Sequence, residues 1–141
     1  MTNLTGHAAV LMVDDDADVL ETTAHMLAVR GFRVFTALDS ESAMQVCREQ
    51  EGRIDVLIAD LSLPGDSRGD LARSITSVYP AMHVIYISGI PRHVALTQGL
   101  VDPQAPYLEK PAQPAVLASI VQSLLTEQVS APANKSGWWD E

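Results

Sequence analysis

Val10-Leu11-Met12-Val13-Asp14-Asp15-Asp16 sets an apolar run directly against three carboxylates. The run extends from Ala8 to Val13 without a polar residue on either alternating face, which is the pattern of a strand covered on both sides of a sheet. From Asp16 onward the period changes. Val19, Leu20, Thr23, Met26, Leu27 and Arg30 recur at helical spacing, and Gly31 stands where a helix would end. A buried strand followed directly by an amphipathic helix is the repeating unit of a parallel α/β sheet.

The unit then recurs along the chain. Phe32 to Ala37 is predicted as a strand, and Ser40 to Gln50 as a helix with Ala43, Met44 and Cys47 on its inner face and Asp39 or Ser40 as its cap. Ile54 to Ala59 is the next buried strand and ends at Asp60. The Pro64-Gly65 turn leads to a helix containing Leu71, Ile75 and Val78, closed by Pro80. Met82 to Ile87 is a fourth strand, running into Ser88-Gly89, and Pro91 to Leu100 a shorter, less hydrophobic helix. Tyr107 to Glu109 is a brief fifth strand, and Ala112 to Glu127 a helix with Val116, Leu117, Ile120, Val121, Leu124 and Leu125 along one broad face. Five strands alternating with five helices predict a doubly wound α/β fold, with helices on both faces of a mostly parallel sheet.

The 141 residues fit one domain, taken as residues 8–127, with an N-terminal extension over 1–7 and a C-terminal tail over 128–141. An apolar fraction of 47% with 19% charged residues is that of a folded chain and not a disordered one. A net charge of −9 excludes nucleic acid as the expected partner, because phosphate backbones are gripped by clustered Lys and Arg. The lone Cys47 falls in an amphipathic helix and reads as a buried thiol in a reducing compartment. No basic cluster precedes the first apolar run, and that run is too short for a signal sequence or a membrane span, so a cytoplasmic location is expected. There is no glycine-rich phosphate loop.

In open parallel sheets ligands bind beyond the carboxyl ends of the strands. There the sequence places Asp14 and Asp15 after the first strand, Asp60 after the third, Ser88 after the fourth and Lys110 after the fifth. Each has an ordinary explanation alone: a helix cap, a turn aspartate, a loop serine, a surface lysine. Together they describe a phosphoryl site. Three carboxylates at one edge repel one another unless a cation lies among them, and hard oxygen ligands suit Mg²⁺ or Mn²⁺. Asp60 is the natural nucleophile, since a carboxylate can accept a phosphoryl group as an acyl phosphate while the metal and Lys110 neutralise the transferred oxygens.

The segments carrying this set, Val10 to Asp16, Asp55 to Asp60, Leu63-Pro64-Gly65, Ile87-Ser88-Gly89 and Tyr107-Leu108-Glu109-Lys110-Pro111, resemble the response-regulator receiver family of two-component signalling. The resemblance covers about Ala8 to Leu125. It implies a flavodoxin-like strand order of 2-1-3-4-5. It implies Asp60 as phosphoacceptor, Asp15 as a direct metal ligand, Asp14 as a ligand through water, and the Ser62 backbone carbonyl as a further ligand. Ser88 would bond the phosphoryl group, Lys110 would pair with it, and Tyr107 would be the aromatic switch. The implied function is a signalling receiver, not an enzyme in the ordinary sense, that promotes its own Mg²⁺-dependent phosphorylation and dephosphorylation. Its implied partners are a histidine kinase or histidine phosphotransfer protein and a downstream protein, with a homodimer possible.

Departures from the family are few. The loop Leu61 to Arg68 is one residue longer than usual, as in receivers attached to hybrid histidine kinases. Ala112 replaces a bulky apolar residue, and Ser88 the commoner threonine. Between Gly89 and Pro106, Pro91, Gly99, Pro103 and Pro106 work against a regular fourth helix. Two alternatives rank lower. A phosphoaspartyl hydrolase would need a substrate cap and a second acid two residues past Asp60, where Ser62 stands; a receiver-like module that is never phosphorylated would leave the acidic set, Ser88 and Lys110 without purpose. His7, His25, His83 and His93 have no partner spacing that favours a metal or phosphorelay role. Trp138-Trp139 could dock a partner, but the residues around them promise little order and no specific role is assigned.

Overall fold

A computed structural model describes residues 8–63 and 69–127. The Pro64-Gly65 turn, His7 and Trp138-Trp139 lie outside these residues. The elements run β1 (Ala9–Val13), α1 (Ala17–Val29), β2 (Arg33–Ala37), α2 (Ser40–Glu49), β3 (Val56–Asp60), α3 (Asp70–Val78), β4 (His83–Ser88), α4 (Arg92–Thr97), β5 (Tyr107–Glu109) and α5 (Pro114–Glu127). The five strands pair in parallel in the order β2-β1-β3-β4-β5. The fold is therefore the doubly wound, flavodoxin-like sheet that the alternation and the resemblance imply.

Every residue of β1 and of β3 is buried, as their continuous apolar runs require of central strands. Alternate side chains enter two separate cores. Leu11, Leu57 and Tyr86 pack with Ala43 and Cys47 of α2, Leu71 and Ile75 of α3 and Ala95 of α4. Val10, Met12, Ile58 and Ile85 pack on the other face with Leu20 and Leu27 of α1 and Leu117, Val121 and Leu125 of α5. Three helices thus cover one face and two the other.

Local chemistry fixes the helix starts. Asp16 caps α1, its carboxylate accepting from the Asp18 and Val19 amides at 3.0 and 3.2 Å, and Asp39 caps α2 by accepting from Ser42 N at 2.8 Å. Pro114 occupies the first position of α5, so this helix starts two residues after the predicted Ala112; proline suits that position because its missing N–H has no helical partner there. The fourth helix shortens from the predicted Pro91–Leu100 to Arg92–Thr97, and Gly99 follows with φ +69°. Val19, Val78 and Val116, which share the apolar helical spacing of the sequence, are exposed and lie in the first or last turn of their helices.

One glycine sits where two backbones pass closely. Gly69, just before α3, has φ +74°, and a Cβ there would lie 2.5 Å from the Leu100 carbonyl oxygen. Glycine at this position permits both the left-handed turn and the close approach of the two backbones.

Candidate functional site

The register of the sheet assembles the site. Val13 pairs with Ala59, so Asp14 leaves β1 beside Asp60 at the end of β3. Asp60 pairs with Ile87, which brings Ser88 to the same level, and Ser88 pairs with Glu109, the residue before Lys110. The Lys110 amide donates to the Ser88 carbonyl at 2.8 Å and extends the ladder one step into the site. The predicted residues from four strands thus meet at one edge.

Asp14 and Asp60 are both buried, and carboxylate oxygens of Asp14, Asp15 and Asp60 lie within 4.8 Å of one another. Asp15 is exposed and faces the open side. Lys110 Nζ donates to Asp60 Oδ2 at 2.9 Å and stands 3.4 Å from Asp14 Oδ2. The other Asp60 oxygen accepts from Ser62 N at 2.7 Å, and Asp14 Oδ1 from Asp16 N at 2.9 Å. Asp14 Oδ2 is buried without a hydrogen-bond partner. A buried carboxylate oxygen left in this condition is costly, and a cation in the cluster would satisfy it. The acidic set therefore fits a hard divalent metal, with Asp14, Asp15 and Asp60 as the residues that would hold it.

The electrostatics follow from this crowding. Burial pushes the Asp14 carboxyl above the usual aspartate value, the Asp16 amide pulls it back, and the neighbouring Asp60 charge raises it further. Burial works against the Lys110 ammonium, but its hydrogen bond to Asp60 and the charges of Asp60 and Asp14 outweigh that, and its pKa rises. Lys110 is therefore fully charged at neutral pH.

Ser88 is completely buried, and its Oγ accepts from Ile90 N at 2.9 Å. Tyr107 is half-buried; its hydroxyl donates to the Ile90 carbonyl, and its ring lies 6.5 Å from that of Tyr86. Burial raises the Tyr107 pKa, the nearby Ser88 hydroxyl lowers it and the Glu109 charge raises it. The serine and tyrosine predicted to form a switch thus converge on the backbone of one residue, Ile90. Neither Ile90 nor Glu109, whose carboxylate accepts from Arg92 N at 2.9 Å, was legible beforehand: a backbone group carries no side-chain signal, and an exposed glutamate before Lys-Pro is unremarkable alone.

Comparison with known proteins gives the family and the fold. A family model described as the response regulator receiver domain matches residues 10–122. The sensor kinase CckA of Brucella abortus is 28% identical over 90% of this chain, and the transcriptional regulatory protein PrrA of Mycobacterium bovis is 32% identical over 90%. The chain spans 13% of that kinase's length and 54% of that regulator's. A CheY-like receiver domain protein from Methanospirillum hungatei superposes with a TM-score of 0.76 at 23% identity, covering 87% of this chain and 97% of that one, and so shares its fold. Among the described residues no helix is long and apolar enough to cross a membrane.

Proposed function

The chain belongs to the response regulator receiver domain family of two-component signalling, and from that premise we propose that Asp60 accepts a phosphoryl group from a phosphohistidine of a histidine kinase or phosphotransfer protein. The observation that carries this is the buried Asp60 carboxylate, fixed by Ser62 N on one oxygen and Lys110 Nζ on the other, beside Asp14 Oδ2, which accepts no hydrogen bond and has only the Lys110 ammonium 3.4 Å away. An Asp60 oxygen attacks phosphorus, the P–N bond to the donor imidazole breaks, and its electron pair leaves on the nitrogen, which takes up a proton. Asp15, Asp60, the Ser62 carbonyl and, through water, Asp14 would hold Mg²⁺ or Mn²⁺, which would supply positive charge to offset the phosphoryl oxygens. Lys110 gives up part of its pairing with Asp60 and turns to those oxygens, and Ser88, still accepting from Ile90, turns its O–H to donate to them. The same arrangement lets the chain promote its own phosphorylation from small donors and, later, the loss of the group.

The consequence is a change at the surface. Ser88 and Tyr107 share the Ile90 backbone, so a shift of Ser88 toward the new group displaces the partner of the Tyr107 hydroxyl and remodels the face of α4 and β5 for a downstream protein. The buried lone Cys47 accords with a cytoplasmic setting.

The test is intact mass after incubation with Mg²⁺ and acetyl phosphate. One added phosphoryl group in the wild type, absent in Asp60→Asn, is the expected result. No adduct in a folded, metal-loaded sample overturns the proposal in favour of an unphosphorylated module, and steady turnover of donor with substrate selectivity overturns it in favour of a hydrolase.

A further inference from the structure

The short helix α4 has no side-chain cap of its own: Pro91 stands at the cap position and has no side-chain acceptor to offer. Its first amide, Arg92 N, is satisfied from another element, by the Glu109 carboxylate at 2.9 Å, 17 residues along the chain. Glu109 and Tyr107 are two residues apart on β5 and so lie on one side of the strand. They hold the same segment at two points, Ile90 O by Tyr107 and Arg92 N by Glu109, while Ser88 Oγ holds Ile90 N. A further bond, from Arg92 Nη2 to the Pro103 carbonyl at 3.1 Å, ties the same turn to the chain entering β5. The next residue after Glu109 is Lys110, which is bound to Asp60.

We propose that Glu109 is a positioning residue of the switch: its carboxylate latches the first turn of α4 to β5 and holds the Ser88–Arg92 segment in the resting arrangement. This rests on the reading of Asp60 as acceptor. A contact present at rest and lost when the segment moves opposes that movement, so its removal favours the activated arrangement by mass balance between two states. The latch needs an acceptor oxygen of glutamate reach and not a charge, and the exposed Glu109 and Arg92 can be changed without disturbing either core.

The experiment measures binding of beryllofluoride, which adopts the geometry of a phosphoryl group on a carboxylate, with saturating Mg²⁺, together with NMR hydrogen exchange of the Arg92 amide in its absence. Glu109→Ala should bind beryllofluoride about threefold to tenfold more tightly and speed Arg92 amide exchange about fivefold, the size expected for one ordinary hydrogen bond at an exposed position. Glu109→Gln should stay within about twofold of wild type on both measures, because its amide oxygen still accepts. Arg92→Pro removes the donated N–H at a helix position that tolerates proline; adding Glu109→Ala to it should change nothing further, whereas adding it to Arg92→Ala should reproduce the tightening. Unchanged or weakened beryllofluoride binding in Glu109→Ala overturns the inference, as does an equal effect in the Arg92→Pro and Arg92→Ala backgrounds. Failure of the wild type to bind beryllofluoride overturns the acceptor reading and the switch role with it, while the exchange measurement still tests the Glu109–Arg92 contact.

Discussion

The acidic pocket at the ends of β1 and β3 and the segment joining β4 to β5 lie side by side and are built in opposite ways. The pocket is made of side chains, carried on central strands that are buried along their whole length. Asp14, Asp60 and Lys110 would be costly to place there without mutual charge pairing, and that cost is why their residue types stand out. The neighbouring segment is made of backbone groups gripped from outside, with Ile90 and Arg92 held by Ser88, Tyr107 and Glu109 on a six-residue helix. In the proposed switch the acidic pocket is the chemical site and the Ser88–Arg92 segment, held by individual hydrogen bonds and not by a packed core, is the part that moves.

The largest break in that comparison is expected from Lys110→Met. Losing the cation that faces the transferred oxygens should slow phosphorylation from acetyl phosphate at least about 100-fold, read by mass spectrometry. It should also lower metal-free stability by about 1–2 kcal/mol in urea, because two buried carboxylates lose their partner while partial exposure limits the loss. Saturating Mg²⁺ should restore most of that stability. Unchanged kinetics would show that Lys110 pairs with Asp60 for structural reasons alone.

Next in size is Gly69→Ala, which strikes where the start of α3 meets the chain between α4 and β5. The left-handed φ and the 2.5 Å approach to the Leu100 carbonyl should together cost about 2–4 kcal/mol, whereas Gly99→Ala, with φ +69° but open space around it, should cost only about 1 kcal/mol. Equal urea midpoints for the two variants would remove the close approach as a factor.

A smaller effect, of opposite sign, is expected from Asp14→Asn in chelator. The folded-state pKa of Asp14 lies above its unfolded value, so its contribution to stability is fully present below the unfolded pKa and is lost as pH rises through the folded one. Metal-free wild type should therefore lose stability across the range just above the usual aspartate pKa, and Asp14→Asn should flatten that slope and be the more stable protein at pH 7. Added Mg²⁺ should reverse the ranking. Lys110, also raised, has a contribution present below the ordinary lysine value that is lost only at more alkaline pH, so the two groups are separable by titration.

The smallest effect is expected from Tyr107→Phe, which deletes one hydrogen bond to the Ile90 carbonyl and should cost about 0.5–1.5 kcal/mol or less by urea, leaving acceptance at Asp60 within about threefold. A large loss of phosphorylation here would tie the reporter to the chemistry more tightly than the geometry indicates.

The sequence by itself determined the order and type of the ten elements, the burial of β1 and β3, and the identities of Asp14, Asp15, Asp60, Ser88 and Lys110. Periodicity reports burial, and charged residues at the ends of buried runs report function. Only the tertiary structure decided that α4 stops at Thr97, that Val19, Val78 and Val116 face outward, and that Tyr107 and Glu109 hold the backbone of Ile90 and Arg92. Those features depend on where one backbone passes another, as at Gly69 and Leu100, and a distance between residues far apart in the chain leaves no local pattern in either stretch.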